Sequence, residues 1–369
     1  MSITPTPAPV TVSRAHDNPA SQPAAEPAAR GLRRLRAIAV GALALAASLV
    51  VARSASRDPA FALSSALPRP AAAASASLIA SSLSLHPLEA RTPADQHLRR
   101  DGYSTVRGGV VYIPGTFSSI DGAYDLLIHF HGNVKVIVES AEVAQVNAIV
   151  AVINLGVGSA VYENAYAAPG TYEALIEQIH HTVTERGLEN ATVRRVALSS
   201  WSAGYGAIST ILQVRRGTEP LDALMLSDGL HCGRLPERPS ALNNRQLAPF
   251  VKAARQAAEG KLLFAITHSE IDPVTYVGSG ETASYLLDAV RDEAPTQNQP
   301  LVAPAHLQLK AAVNAVEPSL EKKLEPTRDV RVGDLHVRGF RGQTREHHSS
   351  HLLQIGATLM PELAQRWNQ

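Results

Sequence analysis

From residue 108 to residue 340 the chain repeats one rhythm. A short apolar run is followed by a polar or glycine-bearing break, then by a longer stretch with apolar residues every three or four positions. The runs GGVVYIP (108–114), YDLLIHF (124–130), AIVAVINLG (148–156), RRVALSS (194–200), DALMLSD (222–228), KLLFAITH (261–268) and DLHVRGF (334–340) predict strands. Residues 171–187, 203–216, 245–258, 281–293 and 351–367 predict helices, the first of them ending on Gly187. AIVAVINLG shows no apolar–polar alternation, as expected of a parallel strand buried on both faces. Alternation of strands and helices implies an α/β fold, a mostly parallel central sheet with helices on both faces. Residues 295–330 break the rhythm and are expected to form a helical insertion or cap.

Upstream the pattern is different. Residues 1–30 are rich in Pro, Ala, Ser and Thr and nearly free of large apolar side chains. They cannot bury enough surface to offset ordering entropy, so a disordered tail is expected. Within 31–55, Arg33, Arg34 and Arg36 precede the uncharged run 37–52, and Arg53 closes it. This is the layout of a secretory signal peptide or a signal anchor. The run would rise about 24 Å as a helix, short of the roughly 30 Å hydrocarbon core, which favours cleavage near 52–55. The long tail ahead of it favours an uncleaved anchor instead. Both readings imply export, periplasmic or secreted, or an inner-membrane tether through residues 37–52. Residues 56–90 read as an Ala/Ser/Pro-rich linker, which leaves 91–369 as one large folded domain.

Charge and composition narrow the function classes. With 34 Lys+Arg against 33 Asp+Glu there is no electrostatic reason to expect nucleic acid. One cysteine, Cys232, excludes an intramolecular disulfide and a zinc cysteine cluster. No internal repeat is visible.

Candidate chemistry gathers at strand ends. Ser200-Trp201-Ser202-Ala203-Gly204 joins an apolar strand to a helix rich in small residues. It is either a tight junction with Ser202 as N-cap or a nucleophile turn. His129 and His131 flank the end of another strand, in HFHGN, where His129 is expected to be a buried, satisfied side chain. His347, His348 and His351 lie between the last strand and the final helix. An HxxH spacing alone does not specify a metal site, and Glu346 beside it does not make a zinc-protease helix.

Taken in order, HFHGN, SSWSAGYG and REHHSSHLL resemble the motifs of the α/β-hydrolase fold superfamily, serine esterase or lipase-like, over about 104–369. The match of SSWSAG to the elbow G-x-S-x-G is imperfect, because Ser200 replaces the first glycine. The resemblance implies Ser202 as nucleophile, with oxyanion donors from Ala203 and from the His131-Gly132 loop. It implies His348 as general base, with His347 and His351 as alternatives. His348 is expected in the loop and His351 on the first helical turn. For the acid, Asp272 lies in the superfamily's usual acid loop, while Asp228 lies at the preceding strand end. Asp228 is preferred for its position and for Gly229 after it, with Glu270 third. His231 is expected to line the pocket, Cys232 to pack, and Trp201 and Tyr205 to flank the serine. No cofactor or metal is implied. The implied reaction is hydrolysis of a carboxylic ester or related acyl bond in a small-molecule or lipid-like substrate. A catalytically inactive α/β-hydrolase-fold binding protein of the cell envelope is the alternative. A tethered interaction protein acting through its N-terminal tail is a third reading.

Overall fold

The computed structural model describes residues 92–216, 220–310 and 321–368. The tail, the signal or anchor and the linker expected over residues 1–90 lie outside them. Among the described residues no helix is long and apolar enough to cross a membrane.

One ten-stranded sheet organises the fold. Its strands are β1 (Ser104–Val106), β2 (Gly109–Tyr112), β3 (Ala123–Phe130), β4 (Ile149–Ile153), β5 (Thr192–Trp201), β6 (Leu221–Ser227), β9 (Leu263–His268), β10 (Thr296–Asn298), β11 (Pro326–Val332) and β12 (Leu335–Phe340). A separate small hairpin supplies β7 (Arg234–Leu235) and β8 (Arg238–Leu242). The order across the sheet is β1-β2-β4-β3-β5-β6-β9-β12-β11-β10. The six strands from β4 to β12 run parallel, and the two strands at either edge join antiparallel.

Every residue of β4 is buried, which explains its unbroken apolar run. Successive side chains along each inner strand enter different cores, as the two-residue period of a strand requires. Leu198, Leu224, Leu226, Phe264 and Ile266 join one core; Ala197, Ala223, Met225 and Ala265 join the other. The first core is closed by α2 (Ser159–Tyr166), α3 (Thr171–Glu185), α4 (Tyr205–Val214), α5 (Asn244–Ala258) and α6 (Ser279–Ala289). The second is closed by α1 (Val134–Val143), α7 (Arg345–Leu353), α8 (Ile355–Thr358) and α9 (Met360–Trp367).

Two expectations need correction. Residues 295–330 are not helical throughout: their described parts hold β10 and β11, which extend the sheet antiparallel beyond β12. The helix expected over 351–367 begins earlier, at Arg345, and is broken into three. Pro361 opens α9, where its missing N–H costs nothing, and a ring there cannot continue a preceding helix. Glu346 in the first turn of α7 suits the helix dipole. His348 is therefore helical, its N–H bonded to the Thr344 carbonyl at 3.1 Å, and not in a loop.

Candidate active site

Strain marks the site before any side chain is considered. Only five non-glycine residues among those described have positive φ, and three of them end adjacent strands. These are His131 after β3 (φ 66°), Ser202 after β5 (φ 50°) and Asp228 after β6 (φ 43°). Such backbone costs of order 1–3 kcal/mol per residue and persists only where the surroundings impose it.

The surroundings are tight. From Ser202 the chain turns through one 3-10 turn, Ser202–Gly204, into α4. A Cβ at Gly204 would stand 2.1 Å from the Phe130 carbonyl oxygen, so this position admits only glycine. A Cβ at Gly229 would stand 2.5 Å from the Ser202 carbonyl oxygen, so the exit from β6 presses directly on the serine turn. Gly204→Ala is expected to cost about 1–3 kcal/mol through overpacking. A urea midpoint lowered at unchanged m-value checks it.

Asp228 is 2% exposed and fully engaged. Its Oδ2 lies 2.7 Å from His348 Nδ1, and its Oδ1 accepts from the Ser269 N–H (2.9 Å) and the Ser279 hydroxyl (2.5 Å). Burial alone would raise this carboxyl. The imidazoles of His351 and His348 and the Ser269 N–H outweigh burial and hold it well below the usual carboxylate range. The carboxylate assigns the His348 proton to Nδ1, which leaves Nε2 with its lone pair. The His348 side chain retains 18% exposure.

Helix α7 is fastened to the strand ends through its own carbonyls. Trp201 Nε1–H donates to the His348 carbonyl (3.0 Å), and the Ser227 hydroxyl donates to the His351 carbonyl (3.0 Å). The Trp201 indole stacks on His348 at 4.8 Å and on His131 at 5.3 Å between ring centroids. Trp201 is thereby a bridge between the histidine helix and the end of β3.

The other sequence-derived candidates are scattered around this centre. Asp272 is exposed in the loop after β9, and no described residue bonds to its side chain. Glu270 Oε2 accepts from the Gly342 N–H (3.2 Å), which ties two loops together. The His347 ring pairs with the Thr344 hydroxyl at 2.8 Å. His351 is buried with Nδ1 on Thr267 Oγ1 (3.0 Å), and burial lowers its pKa to about 4. His129 is buried between Ser199 Oγ (2.9 Å) and the His131 carbonyl (3.2 Å), with its pKa lowered by burial to about 3. His231 pairs with the Val277 carbonyl and lies edge-on to Tyr205 and Tyr276. Cys232 is buried, and burial pushes its thiol up to about 11. Ser200 is fully buried, and its hydroxyl has no partner among the described residues.

Two of the N–H groups expected to serve as oxyanion donors already have partners within the protein. The His131 N–H is spent on the Ile153 carbonyl (2.9 Å) and the Gly132 N–H on Asn154 Oδ1 (2.9 Å). Ala203 is the second residue of the 3-10 turn, where no acceptor within the helix reaches its N–H. Sequence reasoning missed Ser269, Ser279 and Tyr162. Ser279 at the start of α6 had a signal, the small-residue run GSGET. Tyr162 had none.

No family model matches the chain, and no curated protein matches it. Among solved structures, the chain is similar to an IroE-like serine hydrolase from Shewanella oneidensis, with 11% identity over 70% of this chain and 75% of that one, at a TM-score of 0.34. It is similar to the siderophore hydrolase EstB from Aspergillus nidulans, with 13% identity over 70% of this chain and 95% of that one, at a TM-score of 0.32. It is also similar to LpqC, a poly(3-hydroxybutyrate) depolymerase from Bordetella parapertussis, with 14% identity over 49% of this chain and 64% of that one, at a TM-score of 0.28. The chain's own strand order gives it an α/β architecture, a mostly parallel sheet with Ser202, Asp228 and His131 at the ends of adjacent strands.

Proposed function

We propose that this chain is a serine hydrolase that cleaves a carboxylic ester or a related acyl bond. The observation that carries the reading is the 2.7 Å pair of Asp228 and His348, set against the strained turn of Ser202. A carboxylate that fixes Nδ1–H leaves Nε2 as a base, and a serine held on a sharp turn presents its hydroxyl above the sheet.

In this mechanism Ser202 Oγ bonds to the carbonyl carbon of the substrate as its proton passes to His348 Nε2. The imidazolium is stabilised by the ionised Asp228, which neither gains nor loses a proton. Collapse of the tetrahedral adduct breaks the bond to the leaving group, which departs with the proton from His348. Water then attacks the acyl-serine and gives its proton to His348, which returns it to Ser202 Oγ as the acyl–oxygen bond breaks and the acid leaves. Asp228 is kept because it touches the base; Asp272 is set aside because it is exposed and far along its loop.

The test is covalent labelling of the full chain by a fluorophosphonate, followed by peptide mass mapping, alongside hydrolysis of short p-nitrophenyl esters. A phosphonyl adduct on Ser202 with measurable turnover is expected. A folded protein that neither takes the probe nor hydrolyses any ester would overturn the reading.

A further inference from the structure

His131 was expected to contribute through its backbone, yet that backbone N–H and the one after it are occupied. What the strand end offers is the His131 side chain. Its Cβ borders the serine turn, 3.0 Å from where a Cβ on Gly204 would stand. Its ring lies flat against Trp201, the residue before the serine, with 5° between the planes.

The hydrogen bonds around the ring define its tautomer. Tyr162 Oη accepts from the Leu155 N–H (3.2 Å) and from the Gly156 N–H, so what it has left for His131 Nδ1, 2.9 Å away, is its own proton. A phenol that donates to Nδ1 makes that nitrogen the acceptor and puts the ring proton on Nε2. Burial, aided by the nearby His348, lowers the His131 pKa to about 4 and keeps the imidazole neutral. No described residue hydrogen-bonds Nε2, and Nε2 is not one of the sealed, partnerless polar atoms of the protein. It is a donor with no partner among the described residues, on a ring whose Cβ borders the serine turn.

We propose that His131 is a catalytic residue whose Nε2–H donates to the oxyanion formed by Ser202 attack, with the Ala203 N–H as second donor and Tyr162 as the positioning residue that holds the tautomer. This rests on the serine-hydrolase reading above. The proton stays on Nε2 throughout: the bond strengthens as charge develops on the carbonyl oxygen and weakens as the adduct collapses, with no net transfer. A neutral donor that is prearranged in this way resists reorganisation at the moment of reaction.

The experiment compares His131→Asn with His131→Gln in the full chain. Asparagine tolerates the left-handed backbone at this position but reaches only as far as Nδ1; glutamine carries an N–H at about the reach of Nε2. Loss of one oxyanion donor lowers kcat by about 10²–10³. His131→Asn should show that loss at nearly constant KM, and His131→Gln should recover a large part of it. Tyr162→Phe should lower kcat by a smaller factor, again at nearly constant KM. Wild-type kcat in His131→Asn, or equal loss in both His131 variants, overturns the proposal while fluorophosphonate labelling of Ser202 leaves the hydrolase reading standing. A second measurement needs no turnover. The ¹⁵N spectrum of histidine-labelled protein should show His131 protonated at Nε2 and bare at Nδ1, and the opposite tautomer overturns the proposal on its own.

Discussion

Ser202→Ala is expected to lower kcat by about 10⁶ and Asp228→Asn by about 10⁴, the losses that follow removal of a nucleophile or its histidine-orienting acid in well-characterised serine hydrolases. The reason for the second figure lies in the hydrogen bonds. The asparagine could still accept from the Ser269 N–H and the Ser279 hydroxyl through Oδ1, and that residue type tolerates the φ of 43°. Its amide would then face His348 Nδ1 as a donor. The ring proton would move to Nε2, and the base would lose the lone pair it needs. Asp272→Asn, an exposed substitution, should leave kcat within about twofold. Initial rates on a p-nitrophenyl ester, with melting curves as a control for folding, decide the matter. Loss in Asp272→Asn with retention in Asp228→Asn would reverse the assignment of the acid.

Acid is expected to unfold this domain well before its carboxylates titrate. His131 and His351 are buried and His231 is half-buried, all three with pKa values lowered to about 4, and buried His129 is lowered to about 3, in each case chiefly by desolvation. His268 moves in the same direction. The unfolded chain takes up protons at these imidazoles near pH 6.5, while the folded chain does not until about pH 4. Stability therefore rises with pH across that window and falls as pH drops through it. Each imidazole forfeits about 2 kcal/mol by pH 5, and the four together about 8 kcal/mol, against a typical domain stability of 5–15 kcal/mol. Asp228 has the opposite position. Its depressed carboxyl contributes stability that is present above about pH 4 and is lost only below that. Urea midpoints measured from pH 7.5 to pH 5 should fall steeply, and a flat profile would show that these rings are not neutral and buried in solution.

The parallel core was legible because β4, β6 and β9 are continuous apolar runs, a pattern that exposed or amphipathic elements do not imitate. Edge strands lacked that signal. Every residue of β10 is exposed, and β11 carries Arg328, Asp329 and Arg331 within seven residues, so neither alternates cleanly. The start of α7 was hidden because REHHSS has no apolar periodicity; polar contacts to Trp201 and Ser227 hold it, not a hydrophobic stripe. Within the site, the serine turn was readable because its small residues are a steric requirement of the backbone. The preference for Asp228 over Asp272 rested only on its strand-end position and Gly229, since both follow apolar strands; the contact of Asp228 with His348 on α7 is what separates them. The occupied N–H groups of His131 and Gly132 depend on Ile153 and Asn154, partners that no local spacing could announce.

The fastening of α7 to Trp201 and Ser227 has a consequence for synthesis. The pairs that complete the site join residues 120 and 147 positions apart, and their C-terminal members all lie in one closing segment. A nascent chain that has not yet released residues 345–367 holds Asp228 without its histidine and leaves Trp201, Ala197 and Met225 without the helices that cover them. Such a species has an incomplete site and a sticky flank, the kind of intermediate that chaperones engage. On the serine-hydrolase reading proposed above, turnover begins only once α7, α8 and α9 dock, so the appearance of activity during translation would time that docking directly.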